Sequence, residues 1–192
     1  MYIFFDTETG GLNPDYSLLT VSAIAVDPNF DIVHVQDLKP GLYLRIKHEV
    51  YNTSVQALAI NKINLADHDA IGFSVSESSE ALEAFLAEAK KKLGVRRFIP
   101  AGHNVPFDIS FLQHYLLPEK RWRAHFSIPP FDTCAIAKLF NSAGKINVGC
   151  GLGKLAAHFN FDMGRAHNAE NDNLAAIHVA KKFVSAVLPI SF

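Results

Sequence analysis

The stretch Tyr2-Ile3-Phe4-Phe5-Asp6-Thr7-Glu8-Thr9-Gly10-Gly11-Leu12 opens the chain and sets its organisation. Ile3-Phe4-Phe5 is an apolar run of the kind seen in a strand buried on both faces, in the middle of a sheet. Asp6 and Glu8 follow two residues apart, so a strand continuing that far projects both carboxylates from one face. Two acids held side by side repel, and either one takes up a proton or a cation sits between them. Gly10-Gly11 then ends the strand and lets a ligand come close to the backbone. An isolated D-x-E is more often a solvated strand end than half of a divalent-metal site. The acids that arrive later in the chain decide between the two.

Outward from this stretch, residues 18–26 read as a second strand and Asp27-Pro28-Asn29 as a turn. Residues 32–38 alternate as a third strand, and turn-linked strands are normally antiparallel neighbours. Residues 42–46 extend this meander or lie at its edge. Residues 53–62 read as a short helix capped by Thr53 or Ser54. A clearer helix covers residues 78–93, with Leu82, Phe85, Leu86 and Ala89 on its apolar face. Its Lys90-Lys91-Lys92 run sits where the helix dipole favours cations, and Gly94 stops it. A short strand at residues 98–102 leads into a helix with Pro106 in its first turn, running through Leu116. Further helices follow at residues 134–141, 152–159 and 170–187. Three meander strands followed by strands alternating with helices predict one α/β domain over residues 1–192, a mixed sheet with helices on its faces.

Composition narrows the function. The 192 residues are 49% hydrophobic with 15 Phe, enough for a substantial core. A net charge of −1 offers no extended basic surface for gripping duplex DNA, which leaves short nucleic acids or a small local patch. Cys134 and Cys150 form neither a disulfide framework nor a C-x-x-C metal site and read as ordinary thiols in a reducing compartment. No signal peptide is visible, and no stretch approaches the roughly 20 apolar residues of a membrane span. A cytoplasmic protein without a membrane partner is expected.

Three further chemistry-bearing residues follow the opening pair. Asp108 falls in the first turn of its helix, where an acid also complements the helix dipole. Asp172 lies near the start of the last helix. His167 precedes it by five residues, a helical rotation of roughly 140°, so the two converge only if His167 lies in the loop ahead of the helix. Each of the five stands at the end of a predicted element.

At this point the chain resembles a known family. Phe5-Asp6-Thr7-Glu8-Thr9-Gly10-Gly11-Leu12 resembles the first motif of the proofreading-exonuclease superfamily, in the group with four acids and a histidine (DEDDh). Ala101-Gly102-His103-Asn104-Val105-Pro106-Phe107-Asp108 resembles the second motif, and His167-Asn168-Ala169-Glu170-Asn171-Asp172 the third, H-x-A-x-x-D. The proofreading epsilon subunit of bacterial DNA polymerase III is of this kind. The resemblance implies a ribonuclease H-like fold with a central mixed five-stranded sheet flanked by helices. It implies two divalent cations, Mg²⁺ or Mn²⁺, held by Asp6, Glu8, Asp108 and Asp172, with Asp6 bridging both. The implied reaction is 3′→5′ removal of nucleotides from single-stranded DNA ends, releasing nucleoside 5′-monophosphates. His167, the one site residue with an unperturbed pKa near neutrality, is expected to take the proton from the attacking water. Thr9, Gly10 and Leu12 would face the terminal nucleotide, joined by Asn104 and Phe107. Trimming of RNA, or a catalytically silent nucleic-acid-binding module, are the alternatives. The epsilon subunit carries a polymerase-binding tail, whereas this chain stops at Phe192, which argues against a polymerase partner. Asn173 and Ala176 depart from the pattern, where relatives often have a small residue and a threonine.

Overall fold

The computed structural model describes residues 1–164 and 168–187. In chain order the elements are β1 (Tyr2–Thr9), β2 (Leu18–Val26), β3 (Leu42–Lys47), α1 (Val55–Asn61), α2 (Leu65–Ile71), β4 (Phe73–Ser74), α3 (Val75–Leu93), β5 (Ile99–Gly102), α4 (Pro106–Tyr115), α5 (Glu119–His125), β6 (Phe131–Asp132), α6 (Thr133–Ser142), α7 (Leu152–His158) and α8 (Ala169–Val187). One mixed sheet runs in the order β4-β3-β2-β1-β5-β6. β2 is antiparallel to both β1 and β3, whereas β5 runs parallel to β1 and β6 parallel to β5. The sheet therefore has six strands where five were expected. The two edge strands, β4 and β6, are only two residues long, too short for any period-2 signal to appear in sequence.

The expected strand at residues 32–38 does not form. Only isolated bridges exist there, Val26 with Ile32 and Val35 with Leu38. Gln36 takes a left-handed backbone, φ 55°, which turns the chain in the middle of the alternating run. Val35 is buried all the same, so the alternation marked burial without marking a strand. The seven-residue helices α2 and α5 have no long apolar stripe and were not expected. α3 starts at Val75 because Ser74 and Glu77 form a reciprocal capping box there.

β1 lies in the centre of the sheet and its two rows of side chains divide the core. Ile3 and Phe5 pack with Leu82, Phe85, Leu86 and Ala89 of α3 and with Phe111 and Leu112 of α4. Phe4 faces the other way and packs with Ala176, Ile177 and Ala180 of α8. Strand alternation then assigns the polar end of β1 to its two faces. Asp6 and Glu8 continue the Phe4 row toward the start of α8, and Thr7 continues the Phe5 row toward the start of α4. Two helices anchored by apolar burial on opposite faces thus deliver their first turns to the same end of β1.

Candidate active site

β1 continues to Thr9, so Asp6 and Glu8 do share a strand face. Asp172, in the first turn of α8, meets them there. Each of the three half-buried acids offers a carboxylate oxygen within 4.8 Å of the other two. The electrostatic consequence is large. Burial first, then Asp108, Asp172 and Glu8, raise the Asp6 carboxyl well above the usual carboxylate range. Burial, then Asp172 and Asp108, push Glu8 from 4.5 up to about 7. Beyond burial, every group that raises these two is another acid. Such an all-oxygen set at close spacing fits a hard divalent cation of the Mg²⁺ or Mn²⁺ type.

Asp108 approaches from the other face and is not one of the three clustered acids. It is 4% exposed and accepts a hydrogen bond from the Thr7 hydroxyl at 2.7 Å. Burial pushes its carboxyl from 3.8 up to about 7, and the Thr7 bond acts in the opposite direction. Thr7 stood unremarked between the two acids of the opening motif. Its position on the opposite face of β1 is what places it against α4.

The loop before α4 is held by Asp132, the N-cap of α6. One carboxylate oxygen of Asp132 accepts from the Asn104 amide at 2.8 Å and the Cys134 amide at 2.9 Å. Asn104 adopts φ 59° and is exposed. Its bond to Asp132 bridges the loop after β5 and the end of β6.

Beside the acids lies a cavity of about 610 Å³ lined mostly by apolar atoms. Glu8, Leu12, Tyr16, Ile60, Asn61 and Phe107 form much of its wall. Thr9 and Gly11 also line it, whereas Gly10 and Asn104 do not. Leu12 projects into solvent, 88% exposed, at the rim. Gly10 is demanded by the chain itself: a Cβ there would lie 2.4 Å from the Asn52 carbonyl oxygen. Its backbone is clamped by Ser17 and Ser54, so the double glycine lets the segment before α1 close over the strand end. Phe107 both lines the cavity and packs on the core. A second, more polar cavity of about 490 Å³ adjoins the first across Glu8 and Asn61, with Tyr43 and Arg45 of β3 on its wall. Tyr16, Ile60 and Asn61 carried no motif in sequence. His167 lies outside the described residues.

A central strand thus delivers two acids, one helix on each face adds another, and an apolar cavity lies alongside. The chain is similar in sequence to a ribonuclease and in fold to exonuclease I. The sequence is 29% identical over 174 residues to ribonuclease T of Haemophilus ducreyi, an alignment covering 88% of this chain and 78% of that one. The fold is similar to that of exonuclease I from E. coli in complex with a dT13 oligonucleotide, with a TM-score of 0.77 and 20% identity. That alignment covers 94% of this chain and 40% of the other. Exonuclease I from Methylocaldum szegediense gives a TM-score of 0.74 at 21% identity, covering 98% of this chain and 41% of that one. The chain thus spans about two fifths of the length of the exonuclease I chains. No family model matches the sequence. Among the described residues, no helix is long and apolar enough to cross a membrane.

Proposed function

We propose that the protein is a metal-dependent 3′→5′ exonuclease that removes nucleotides from single-stranded DNA ends and releases nucleoside 5′-monophosphates. The observation that carries this reading is the convergence of Asp6, Glu8 and Asp172, of which Glu8 also lines the apolar cavity. Carboxylates alone repel a phosphodiester, so the cluster makes chemical sense only with cations between the acids and the substrate.

In this reading Asp6, Glu8 and Asp172 would hold one divalent cation, and Asp108 together with Asp6 would hold a second. When bound, the pair would supply Lewis-acid activation of the attacking water and neutralise charge at the departing 3′ oxygen. The chain's own groups do the rest. Leu12 at the rim, with Tyr16, Ile60 and Phe107, packs against the terminal nucleotide and excludes water from the reacting phosphate. Thr9 and the backbone around Gly10 shape the cavity entrance. The Asn104 backbone N–H, donating to Asp132, braces the loop that leads into α4, where Phe107 and Asp108 lie. Thr7 donates its hydroxyl to Asp108 and orients that carboxyl. His167 takes the proton from the attacking water, a role its near-neutral intrinsic pKa suits.

The similarity to ribonuclease T favours a second reading, trimming of RNA 3′ ends, on the same residues. One experiment tests both. End-labelled single-stranded DNA, duplex DNA and RNA of equal length are digested with Mg²⁺ or Mn²⁺, with and without a 3′-phosphate block. Stepwise shortening of unblocked single strands, abolished by chelator and by the 3′ block, is the expected result. Full activity in chelator, or nicking of a circular single strand, would remove the assignment. Preference for the RNA strand would select the second reading.

A further inference from the structure

The acid cluster has a polar layer behind it, and that layer is built from residues outside the motifs. In the β1–β2 register Asp6 lies opposite Ser22, and Glu8 opposite Thr20. Residues directly opposite each other share a face of the sheet, so a hydroxyl stands next to each of the two acids. Both hydroxyl residues are 1% exposed. α8 comes down on this face with Asn173, which immediately follows Asp172 and is fully buried. The Asn173 amide nitrogen donates to the Phe4 carbonyl at 2.9 Å and to the Ser22 hydroxyl oxygen at 3.0 Å. Phe4 is two residues before Asp6 on the same row, and Ser22 is the cross-strand partner of Asp6. One side chain therefore ties the first turn of α8 to the two strands at the level of the cluster.

Burial alone does not require an amide at this position. The next turn of α8 seals the same face with Ala176, Ile177 and Ala180 against Phe4 and Ile24. An apolar side chain at 173 would continue that seam. Instead the seam is interrupted by a buried amide whose Oδ1 has no hydrogen-bond partner among the described residues. Leaving a buried polar atom unmet is unfavourable. The two bonds donated by Asn173 fix the helix start in direction and depth.

We propose that Asn173 is a positioning residue for the divalent cation. By pinning α8 to Phe4 and Ser22 it sets the separation of Asp172 from Asp6 and Glu8, and with it the affinity of the cluster. The proposal rests on the reading of that cluster as a metal site. Groups that orient metal ligands in this way typically change metal affinity roughly 10–100-fold when removed.

The test measures Mn²⁺ binding, by electron paramagnetic resonance of the free ion, in the full chain. Asn173→Leu fills the position without donors, and melting in chelator reports its fold. The expected result is a folded variant whose Mn²⁺ affinity falls roughly 10–100-fold. Its activity should return at high Mn²⁺ with an unchanged KM for a single-stranded oligonucleotide. Ser22→Ala removes one of the two acceptors and should weaken Mn²⁺ in the same direction, by less. Because the two side chains share a bond, the double variant should lose less than the sum of the single losses. Mn²⁺ affinity within twofold of wild type in both single variants would overturn the proposal, whatever their melting temperatures. If Asn173→Leu does not fold, Ser22→Ala decides alone. A wild-type protein that binds no Mn²⁺ would overturn the metal-site reading itself, a result distinct from the failure of Asn173.

Discussion

Replacing Glu8 by glutamine should stabilise the metal-free protein, and the structure says by how much and at which pH. Glu8 is raised from 4.5 to about 7 by burial and by Asp172 and Asp108. An acid whose folded-state pKa lies above its unfolded value contributes stability that is fully present below about pH 4.5. That contribution is lost as pH rises through about 7. A displacement of about 2.5 pH units at 1.36 kcal/mol each amounts to about 3 kcal/mol at full ionisation. Because Asp6 and Asp108 share the same repulsion, the gain from neutralising Glu8 alone is about 1–3 kcal/mol. For a chain of this length that corresponds to roughly 3–10 °C in melting temperature. The assay is thermal and urea unfolding in chelator at pH 5 and pH 8. Wild type should be less stable at pH 8 than at pH 5 in this component, and Glu8→Gln should exceed wild type at pH 8 while the gap narrows at pH 5. Added Mn²⁺ should reverse the order, because the cation binds the wild-type cluster and only weakly the variant. A Glu8→Gln protein less stable than wild type at pH 8 in chelator would refute the account of the cluster as uncompensated charge.

Thr7→Val removes the hydroxyl donor to Asp108 with little change in shape, and since that bond lowers the Asp108 pKa, its loss should raise it further. The acid limb of the pH–rate profile should move to higher pH, with turnover recovering at alkaline pH; an unmoved limb would separate Thr7 from Asp108 function. His167→Ala should reduce turnover by roughly 10²–10⁴ through loss of the proton acceptor while Mn²⁺ binding persists, and a parallel loss of Mn²⁺ affinity would make His167 a ligand or a support instead. Leu12→Ala, at an 88% exposed apolar rim, should raise KM for single-stranded oligonucleotides several-fold and leave melting unchanged within about 0.5 kcal/mol, as for surface positions generally.

The four acids of the motif set could be placed from sequence because each combines a chemical identity with a position at the end of an element. Asp6 and Glu8 needed only strand alternation to be put on one face, and β1 bears that out. Asp108 and Asp172 were placed in first helical turns, and α4 and α8 do begin beside them. β2 was readable to its termini because all nine of its residues are apolar or small, and every one is buried. The expected strand at residues 32–38 had the same alternation, but a left-handed residue at Gln36 let Val35 find burial in a turn.

Sequence alone determined the inventory: which acids, on which elements, at which ends. The chemistry proposed for them came from the resemblance of the three motifs to the exonuclease family. Every relation across the sheet was left open. Asp108 and Asp172 reach β1 from opposite faces, and that division comes from which helix buries Phe5 and which buries Phe4. Thr7 meets Asp108 across 101 positions of chain and Asn173 meets Phe4 across 169. Local patterns carry no information at such separations, because burial is a property of the assembled sheet and its two helix layers, and only their packing decides which buried polar groups face one another.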